Sequence, residues 1–371
     1  MNHYIHQLND WPQFNWRHED IIHILGKVRH LQGKLLGKME MLGFALREEA
    51  ILETLTLDVI KSSEIEGEIL IPEQVRSSIA RHLGMDISGL IPSDRNVDGV
   101  VEMMLDAIQQ NEKPLTAGRL FGWHAALFPT GRSGMYKIEV GNWRKDETGP
   151  MQVVSGALGK EKVHYQAPDA TILDKEMNAY ILWFNANDSL DPVIKAAIAH
   201  LWFVTIHPFE DGNGRIARAI TDMQLTRADG SKQRFYSMSS QLRLERKAYY
   251  EILEKTQRGN LDVTNWVLWF LNCLMDSLIA TDKTLARILT KAKFWEIHAE
   301  LDINERQRIM INKLLDGFDG KLTSSKWAKI SKCSPDTALR DITELIANQI
   351  LSKDSSGGRS TNYELLIPDL N

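Results

Sequence analysis

The residues best suited to chemistry lie together at 207–218, in the stretch HPFEDGNGRIAR. His207 has an ordinary pKa of about 6.5, so its imidazole can remove a hydroxyl proton near neutral pH. Asp211 offers a carboxylate oxygen, the kind of ligand that Mg²⁺ prefers. Arg215 and Arg218 carry fixed positive charges that can bind phosphate oxygens bidentately. A base, a metal ligand and two cations so close together suit the transfer of a phosphoryl-type group.

Two predicted helices must hold these side chains in place. The apolar run VIKAAIAHLWFVTI leads directly into His207, and the spacing of Ile216, Ile220 and Met223 predicts a second helix that begins near Asn213. The backbone N–H groups of 212–214 would then lie at a helix N-terminus, where unpaired donors and the helix dipole favour an anion. Residues three apart leave the same side of a helix, so both arginines face this point. The sequence predicts a phosphate site there.

Three alternatives compete for this stretch. GNGRIA formally matches the G-x-G-x-x-A dinucleotide fingerprint, but a helical run precedes it where a strand is needed, and no βαβ alternation follows. DGNGR resembles the start of a calcium loop, but Arg215 stands where an oxygen ligand is required. A plain structural turn explains a single His or Asn-Gly, but it does not explain the whole set.

The stretch resembles the signature of the Fic family, H-P-F-x-[D/E]-G-N-G-R-x-x-R, and matches it at every defined position. The resemblance implies transfer of AMP from ATP to a protein hydroxyl, with His207 as the base, Phe209 as a structural anchor and Asp211 as the Mg²⁺ ligand. Related toxins that phosphorylate their targets carry Lys at the position of Gly214, so this glycine favours adenylylation. The implied nucleotide-binding residues are Gly212, Asn213, Gly214, Arg215, Ile216, Ala217, Arg218 and, by its placement against adenine or ribose, Tyr250.

A second stretch, SSEIEGE at 62–68, packs three acids into five residues. Ser62 and Glu66 are four apart and share a helix face, and Gly67 favours a helix end immediately afterwards. On residue types alone, a solvated acidic helix end is the favoured interpretation. The spacing resembles the inhibitory motif of the Fic family, [S/T]-x-x-x-E-[G/N]. The resemblance implies that Glu66 forms a dry, bidentate pair with Arg218 and keeps ATP from seating its γ-phosphate productively.

The composition, 43% hydrophobic and 25% charged residues, is typical of a globular protein that folds in water. The chain has 371 residues and a net charge of −5, which gives no general attraction to nucleic acid or to an anionic membrane. Two cysteines, Cys273 and Cys333, form neither a disulfide framework nor a metal quartet. The N-terminus does not resemble a signal peptide, and the apolar segment 263–275 is too short to span a bilayer. We therefore expect a cytoplasmic protein without a membrane partner.

The predicted fold is mainly α, with a Fic-type helical core. Helical spacing recurs over 20–80, 97–110, 114–127, 172–186 and 191–206, whereas 151–168 has two β-prone runs around a glycine turn. The family resemblance identifies this hairpin as a flap that holds a target segment by strand addition. After about residue 290, three helices and a strand, glycine turn and strand predict a winged helix-turn-helix. The predicted domains are 1–96, helical with the inhibitory helix; 97–290, catalytic; and 291–371, winged helix.

The predicted winged helix has weak electrostatics for DNA. Residues 304–371 carry ten Lys and Arg against nine Asp and Glu, and the presumed recognition helix, 335–347, has one arginine and three acids. An interaction or dimer module is at least as well supported, although Lys332, Lys353 and Arg359 keep weak DNA contact open.

The sequence as a whole predicts a Mg²⁺- and ATP-dependent protein adenylyltransferase that modifies a Tyr, Thr or Ser hydroxyl on a target protein, or on itself. Family likeness also suggests a homodimer. Two alternatives stay open at this point: an enzyme that removes AMP with Glu66 orienting a water molecule, and a DNA-binding regulator that senses a nucleotide.

Overall fold

The computed structural model describes residues 4–85, 89–147, 149–156, 160, 162–187, 189–315, 317–318, 320–354 and 361–367. Within these ranges the protein consists of fourteen α-helices and three short antiparallel strand pairs. This confirms the predicted mainly α class. The chain divides into two compact units, Met1–Thr281 and Asp282–Asn371, which are described separately.

The first unit contains ten complete helices: α1 His18–Glu40, α2 Phe44–Ile65, α3 Pro72–His82, α4 Arg95–Gln109, α5 Ala117–Leu127, α6 Leu173–Asn185, α7 Pro192–Ile206, α8 Asn213–Asp229, α9 Met238–Leu244 and α10 Arg246–Gln257. Helix α11, Thr264–Ile297, begins in this unit and ends in the second. The predicted start of α7 is confirmed, because the Asp191 side chain caps the helix and Pro192 occupies its first turn.

Helices α7 and α8 form the centre of the first unit. Every residue of α7 from Val193 to Ile206 is buried, and in α8 the buried residues include Ile216, Ile220 and Met223. The predicted apolar stripe of α8 therefore faces the core. Helix α8 packs against α7 and is also contacted by α1, α2, α4 and α5. The loop that carries the signature joins these two buried helices, so its ends are fixed by packing.

Two strand pairs belong to the first unit. Strand β1, Arg132–Ser133, pairs with β2, Tyr136–Lys137, and this pair was not predicted. Strand β3, Gln152–Ser155, pairs with β4, Lys162–Gln166, as predicted for 151–168, with a bulge between Val153 and Val154. Residues 157–159 and 161 of the predicted turn lie outside the described residues.

The second unit follows the predicted order of elements. It contains α12 Glu305–Leu315, α13 Ser324–Ile330, α14 Pro335–Ala347 and the antiparallel pair of β5 Leu351–Lys353 and β6 Tyr363–Leu365. Phe294, Trp327 and Ile342 are fully buried in its core. Residues 355–360, which include Arg359, lie outside the described residues. None of the helices in the described ranges combines the length and apolar character needed to cross a bilayer.

Candidate active site

His207 ends α7 in an unusual backbone conformation. Its φ of 52° and ψ of 57° are left-handed, which costs a residue with a β-carbon roughly 1–2 kcal/mol. The Nδ1 atom lies 3.2 Å from the carbonyl oxygen of Val204. Because a carbonyl only accepts, Nδ1 carries the hydrogen and Nε2 keeps its lone pair. Burial lowers the pKa of His207 to about 4, so the ring is neutral at pH 7 with the lone pair that a general base needs.

Arg144 holds the main chain around His207, and sequence reasoning missed it. Arg144 is 3% exposed, and its Nε donates to the carbonyl oxygen of His207 at 2.8 Å. Its backbone N–H donates to the carbonyl of Pro208 at 2.9 Å, and Nη2 donates to that of Pro168 at 2.5 Å. Nη1 forms a close ion pair with Asp146. Arg144 lies in the stretch GNWRKD, 63 residues before His207, and nothing in the local sequence pattern indicates that the two residues meet.

Asn213 closes the signature loop on itself. The residue is 2% exposed, and its side chain accepts a hydrogen bond from the backbone N–H of Phe209 at 3.0 Å and donates to the Phe209 carbonyl at 2.7 Å. The Phe209 ring is fully buried and stacks on His124, with ring centroids 4.2 Å apart. The Asn213 side chain therefore shapes the loop, and its backbone N–H remains at the first turn of α8.

His124 connects helix α5 to the signature loop, although sequence reasoning assigned it no role. Its Nδ1 accepts from the backbone N–H of Gly141 at 3.1 Å, so Nε2 carries the hydrogen and donates to the Asp211 carbonyl at 3.2 Å. Burial lowers the pKa of His124 to about 4, which keeps the ring neutral. The ring thus fixes the backbone of Asp211 without adding a charge.

The carboxylate of Asp211 is partly exposed beside the start of α8. One oxygen accepts from the backbone N–H of Gly212 at 2.6 Å, and the other has a close hydrogen bond with the Ser133 hydroxyl on β1. In the described part of the chain, no three His, Cys, Asp or Glu side chains gather to hold a metal ion. Mg²⁺ commonly binds one or two protein carboxylates and completes its shell with water and substrate phosphates. The donor set at Asp211 fits that mode.

The start of α8 has the features of an anion site. Gly212 is the N-cap in a left-handed conformation, φ 79°, and no side chain caps this turn within the described residues. Nε of Arg215 and Nη1 of Arg218 are buried, and neither has a hydrogen-bond partner among the residues that the structure covers. Unpaired N–H groups at a helix N-terminus favour a negatively charged ligand.

The end of helix α2 supplies acidic groups to this site. Glu66 is the C-cap and Gly67 is left-handed with φ 87°. The N–H of Glu68 donates to the carbonyl of Ser63 and that of Gly67 to the carbonyl of Glu64, both at 3.1 Å. These two bonds make a Schellman motif, and they confirm the helix end predicted at Gly67.

Glu66 contacts Arg218, as the family resemblance implied, and Ser62 contacts it as well, which was not predicted. Nη2 of Arg218 lies 2.8 Å from Oε1 of Glu66 and 2.9 Å from the Ser62 carbonyl, while Nε donates to the Ser62 hydroxyl at 2.8 Å. Arg218 is 1% exposed. The expected dry, bidentate pair is wrong, because one Glu66 oxygen contacts the guanidinium and the Glu66 side chain is 31% exposed. Ser62 takes Nε and shares Nη2 with Glu66, whereas Nη1 has no partner among the described residues.

The Glu66 carboxylate also covers the start of α8. A β-carbon built on Gly214 would lie 2.2 Å from Oε1 of Glu66. The carboxylate therefore rests against the glycine backbone at the point where the helix dipole favours an anion. A glycine at this position allows that approach.

Glu68 forms a second ion pair with the signature, which was not predicted. Its Oε2 lies 2.7 Å from Nη1 of Arg215. Arg215 is 7% exposed, and its guanidinium lies 5.1 Å from the centroid of the Phe128 ring. The sequence showed Glu68 as the third acid of SSEIEGE, but residue types alone did not indicate that its partner is Arg215.

Tyr250 and Tyr249 lie on α10 with different environments. Tyr249 is 2% exposed and hydrogen-bonded to His200 at 2.8 Å, as expected for a packing residue. Tyr250 is 38% exposed, with the Arg246 guanidinium 5.4 Å from its ring centroid. Burial and then the negative charge of Glu66 raise the Tyr250 pKa, so this ring lies near Glu66. Contact between Tyr250 and a nucleotide stays a prediction.

Two residues of the expected nucleotide-binding set turn away from the site. The side chains of Ile216 and Ala217 are fully buried. The N–H of Ile216 donates to the Gly212 carbonyl within the helix. The structure therefore gathers Asp211, Gly212, Gly214, Arg215 and Arg218 around the helix start, and it places these two side chains in the core.

Known proteins resemble the chain over several ranges. Residues 114–225 match the model of the Fic/DOC family, and residues 4–85 match a domain of unknown function, DUF4172. A Protein adenylyltransferase Fic of Nematostella vectensis is 22% identical over 289 residues, which are 74% of this chain and 60% of that protein. The Drosophila melanogaster protein of the same name is 34% identical over 111 residues, 29% of this chain and 20% of that protein. The chain thus spans only part of the length of these relatives.

Solved structures resemble the fold over most of the chain. A Fic family protein from Desulfovibrio desulfuricans G20 has a TM-score of 0.52 at 20% identity and covers 95% of this chain and 97% of its own. A Fic domain containing signaling protein from Bacteroides thetaiotaomicron VPI-5482 has a TM-score of 0.50 at 23% identity over 74% of this chain and 97% of its own. These likenesses show a Fic-type fold, and residues 114–225 are the part of the chain that matches the Fic/DOC family model.

Proposed function

We propose that the protein transfers AMP from ATP to a Tyr, Thr or Ser hydroxyl of a target protein. The observation that carries this proposal is the juxtaposition of a neutral His207 with the uncapped start of α8, where Arg215 and Arg218 hold buried, unpaired N–H groups. These donors suit the phosphates of ATP. The relatives named Protein adenylyltransferase Fic support the same reaction.

In the proposed reaction, Nε2 of His207 accepts the proton of the acceptor hydroxyl. The hydroxyl oxygen then bonds to the α-phosphorus in line, while the bond from that phosphorus to the bridging oxygen of pyrophosphate breaks. The backbone N–H groups of 213 and 214 and Arg215 would hold the phosphates, and Arg218 would bind the γ-phosphate, whereas the N–H of Gly212 donates to Asp211. Mg²⁺, when bound at Asp211, supplies positive charge that stabilises the leaving pyrophosphate.

We further propose that the resting protein is inhibited by the end of α2. Glu66 contacts Arg218 and rests against Gly214, and Glu68 contacts Arg215. Both acids therefore compete with phosphate for the same guanidinium groups and helix start. Nucleotide can seat productively only after these contacts break.

Glu66 also supports a second candidate reaction. Its carboxylate is 31% exposed and lies at the helix start where the phosphates would bind. From there it could orient a water molecule toward an AMP group already attached to a protein, which would remove the AMP. Incubation of an adenylylated substrate with the wild-type protein and with Glu66→Gln distinguishes this reaction, because only the wild type should release AMP.

The division into 1–96, 97–290 and 291–371 stays a proposal, with target recognition in the middle domain; the two compact units divide between residues 281 and 282. The pair of β3 and β4 has the form of a flap that could bind a target segment by its edge, mainly through backbone contacts. Residues 304–371 have the element order of a winged helix, which we propose as a module for interaction or homodimer formation. DNA binding is less favoured. Arg306 is one of the cations that could contact DNA phosphates, but its charge is neutralised by an ion pair with Asp341 of α14.

Labelled nucleotide tests the proposed function. The purified protein is incubated with Mg²⁺ and ATP carrying ³²P at the α-phosphate, and protein-bound label is measured. Wild type and, more strongly, Glu66→Gly should label a lysate protein or themselves, whereas His207→Ala should not. Label that arrives from γ-³²P-ATP instead would contradict AMP transfer and indicate phosphorylation.

A further inference from the structure

Arg144 binds two consecutive carbonyl groups of the signature. Its Nε donates to the oxygen of His207 at 2.8 Å and its backbone N–H donates to that of Pro208 at 2.9 Å. His207 is one of three non-glycine residues in the described ranges with a positive φ, here 52°. A side chain with a β-carbon stays in that conformation only when its surroundings hold it there.

The other donors of Arg144 fix the guanidinium itself. Nη2 donates to the Pro168 carbonyl at 2.5 Å, and Nη1 pairs closely with Asp146. The second Asp146 oxygen accepts from the backbone N–H of Ala170 at 2.8 Å. Arg144 is therefore anchored to the segment that follows β4. Because Nε, both Nη atoms and the backbone N–H are all used within the protein, this arginine is not a phosphate ligand.

We infer that Arg144 is the positioning residue that holds the His207 main chain in its left-handed conformation and so directs the imidazole at the acceptor hydroxyl. This inference rests on the proposed AMP transfer, since it assigns His207 the role of base. Arg144 acts through His207 and makes no contact with the α8 start. Its loss should therefore affect the chemical step and leave the nucleotide site unchanged.

Loss of Arg144 should lower kcat and leave the KM for ATP nearly unchanged. In a Glu66→Gly background, which makes turnover measurable, Arg144→Gln should lower kcat about 100-fold, because a shift of about 1 Å in a reacting group has an effect of that size. The KM for ATP should stay within about twofold, since Arg144 does not contact the groups that would hold phosphate. Arg144→Lys keeps the charge and can donate to one of the carbonyls but lacks the planar fork, so it should recover about tenfold of the loss.

Arg119→Gln is the matched control. Arg119 also binds one carboxylate, Asp106 at 2.7 Å, and the carbonyls of Lys113 and Gln110, but it makes no contact with His207. Its removal should leave kcat unchanged. If Arg119→Gln lowers kcat as much as Arg144→Gln, the effect is a general loss of structure and the inference is overturned.

A measurement that needs no turnover separates this inference from the proposed function. The charged groups that act on His207 are Arg144, Glu66 and Asp211, and of these Arg144 lowers its pKa while the two acids raise it. In ¹³C-histidine NMR, Arg144→Gln should shift the His207 Cε1 resonance and raise its titration midpoint, and Arg119→Gln should change neither. An unchanged His207 signal together with an unchanged kcat would overturn the inference. Absence of AMP transfer in the parent would contradict only the proposed function, because the NMR result is independent of it.

Discussion

Oε2 of Glu68 lies 2.7 Å from Nη1 of Arg215, on the opposite side of Gly67 from the glutamate that contacts Arg218. The Schellman turn at the end of α2 therefore directs one acid to each arginine of the signature. Arg215 and Arg218 are both more than nine-tenths buried, so the two contacts lie where phosphate would have to enter.

Replacing Glu66 with glycine should release the inhibited state. We expect AMP transfer to rise about 10- to 100-fold, because a hydrogen bond to a charged group contributes roughly 1.5–3 kcal/mol. The initial rate with α-³²P-ATP measures this. Glu64→Gln is the matched control, since Glu64 lies in the same helix end but pairs with Lys61 and Arg243. A well-folded Glu66→Gly protein with an unchanged rate would argue against self-inhibition.

Glu68→Gln should give a smaller release of the same kind. The Glu68 side chain is 35% exposed, so solvent screens its pair with Arg215, and we expect a gain of about two- to fivefold in ATP affinity. Isothermal titration with a non-hydrolysable ATP analogue measures the Kd. Adding Glu68→Gln to Glu66→Gly should tighten binding further. Equal affinity of the single and double variants would show that the second ion pair does not restrain the site.

The effect of Gly214→Ala on the free energy of unfolding should have opposite signs in the wild type and in Glu66→Gly. A β-carbon at 214 would overlap Oε1 of Glu66, so in the wild type the substitution should lower the free energy of unfolding by about 1 kcal/mol. In Glu66→Gly the overlap with Oε1 is gone, and the near neighbour that remains, Nη1 of Arg218 at 3.2 Å, is the end of a flexible side chain that needs to shift by only a few tenths of an ångström. Ala in a helix should then stabilise by roughly 0.5–1 kcal/mol. Urea unfolding of the four proteins gives the coupling. Identical effects of Gly214→Ala in both backgrounds would contradict the observed position of Glu66.

The rate should depend weakly on pH between 7 and 5. Burial lowers the pKa of His207 to about 4, so the neutral base persists down to that pH and is lost only below it. We expect kcat/KM for ATP to fall less than threefold between pH 7 and 5, whereas an unshifted histidine would give a fall of about 25-fold. His207 titration by ¹³C NMR in the free protein separates this from protonation of the nucleotide. A midpoint near 6.5 would refute the prediction.

The lowered pKa of His207 also predicts that the folded protein loses stability as the pH falls from about 6.5 toward 4. Because the folded-state pKa lies below the unfolded value of about 6.5, the unfolded chain binds the proton first. The contribution of His207 to stability is therefore complete above pH 6.5 and declines as the pH falls toward 4. His207→Gln should remove that part of the pH dependence, as measured by urea unfolding at pH 7 and pH 5. The same loss of stability on acidification in both proteins would show that His207 contributes none of it.

The parts of the site that follow from local sequence were predictable. The long apolar run before His207 and the spacing of Ile216 and Ile220 set α7 and α8, and therefore the helix start between them. Gly67 set the end of α2, because a left-handed glycine terminates a helix. In each case the physical cause lies within a few residues of its effect.

The contacts that were missed depend on residues distant in sequence. Arg144 meets His207 across 63 residues and Arg215 meets Glu68 across 147. Neither pair has a spacing that marks it in a single sequence, since a buried arginine has the same local pattern as an exposed one. The expected bidentate pair of Glu66 and Arg218 was wrong for a related reason: the Ser62 hydroxyl and carbonyl take part of the guanidinium, which only the folded backbone determines.

The most direct measurement is a crystal structure of the Glu66→Gly, Glu68→Gln protein with Mg²⁺ and a non-hydrolysable ATP analogue. We expect the phosphates to contact the backbone N–H groups of 213 and 214, Arg215 and Arg218 to turn their freed nitrogens to the phosphate oxygens, and Nε2 of His207 to face the α-phosphate. A nucleotide bound away from the start of α8, with the two arginines unchanged, would show that this helix start is not the nucleotide site.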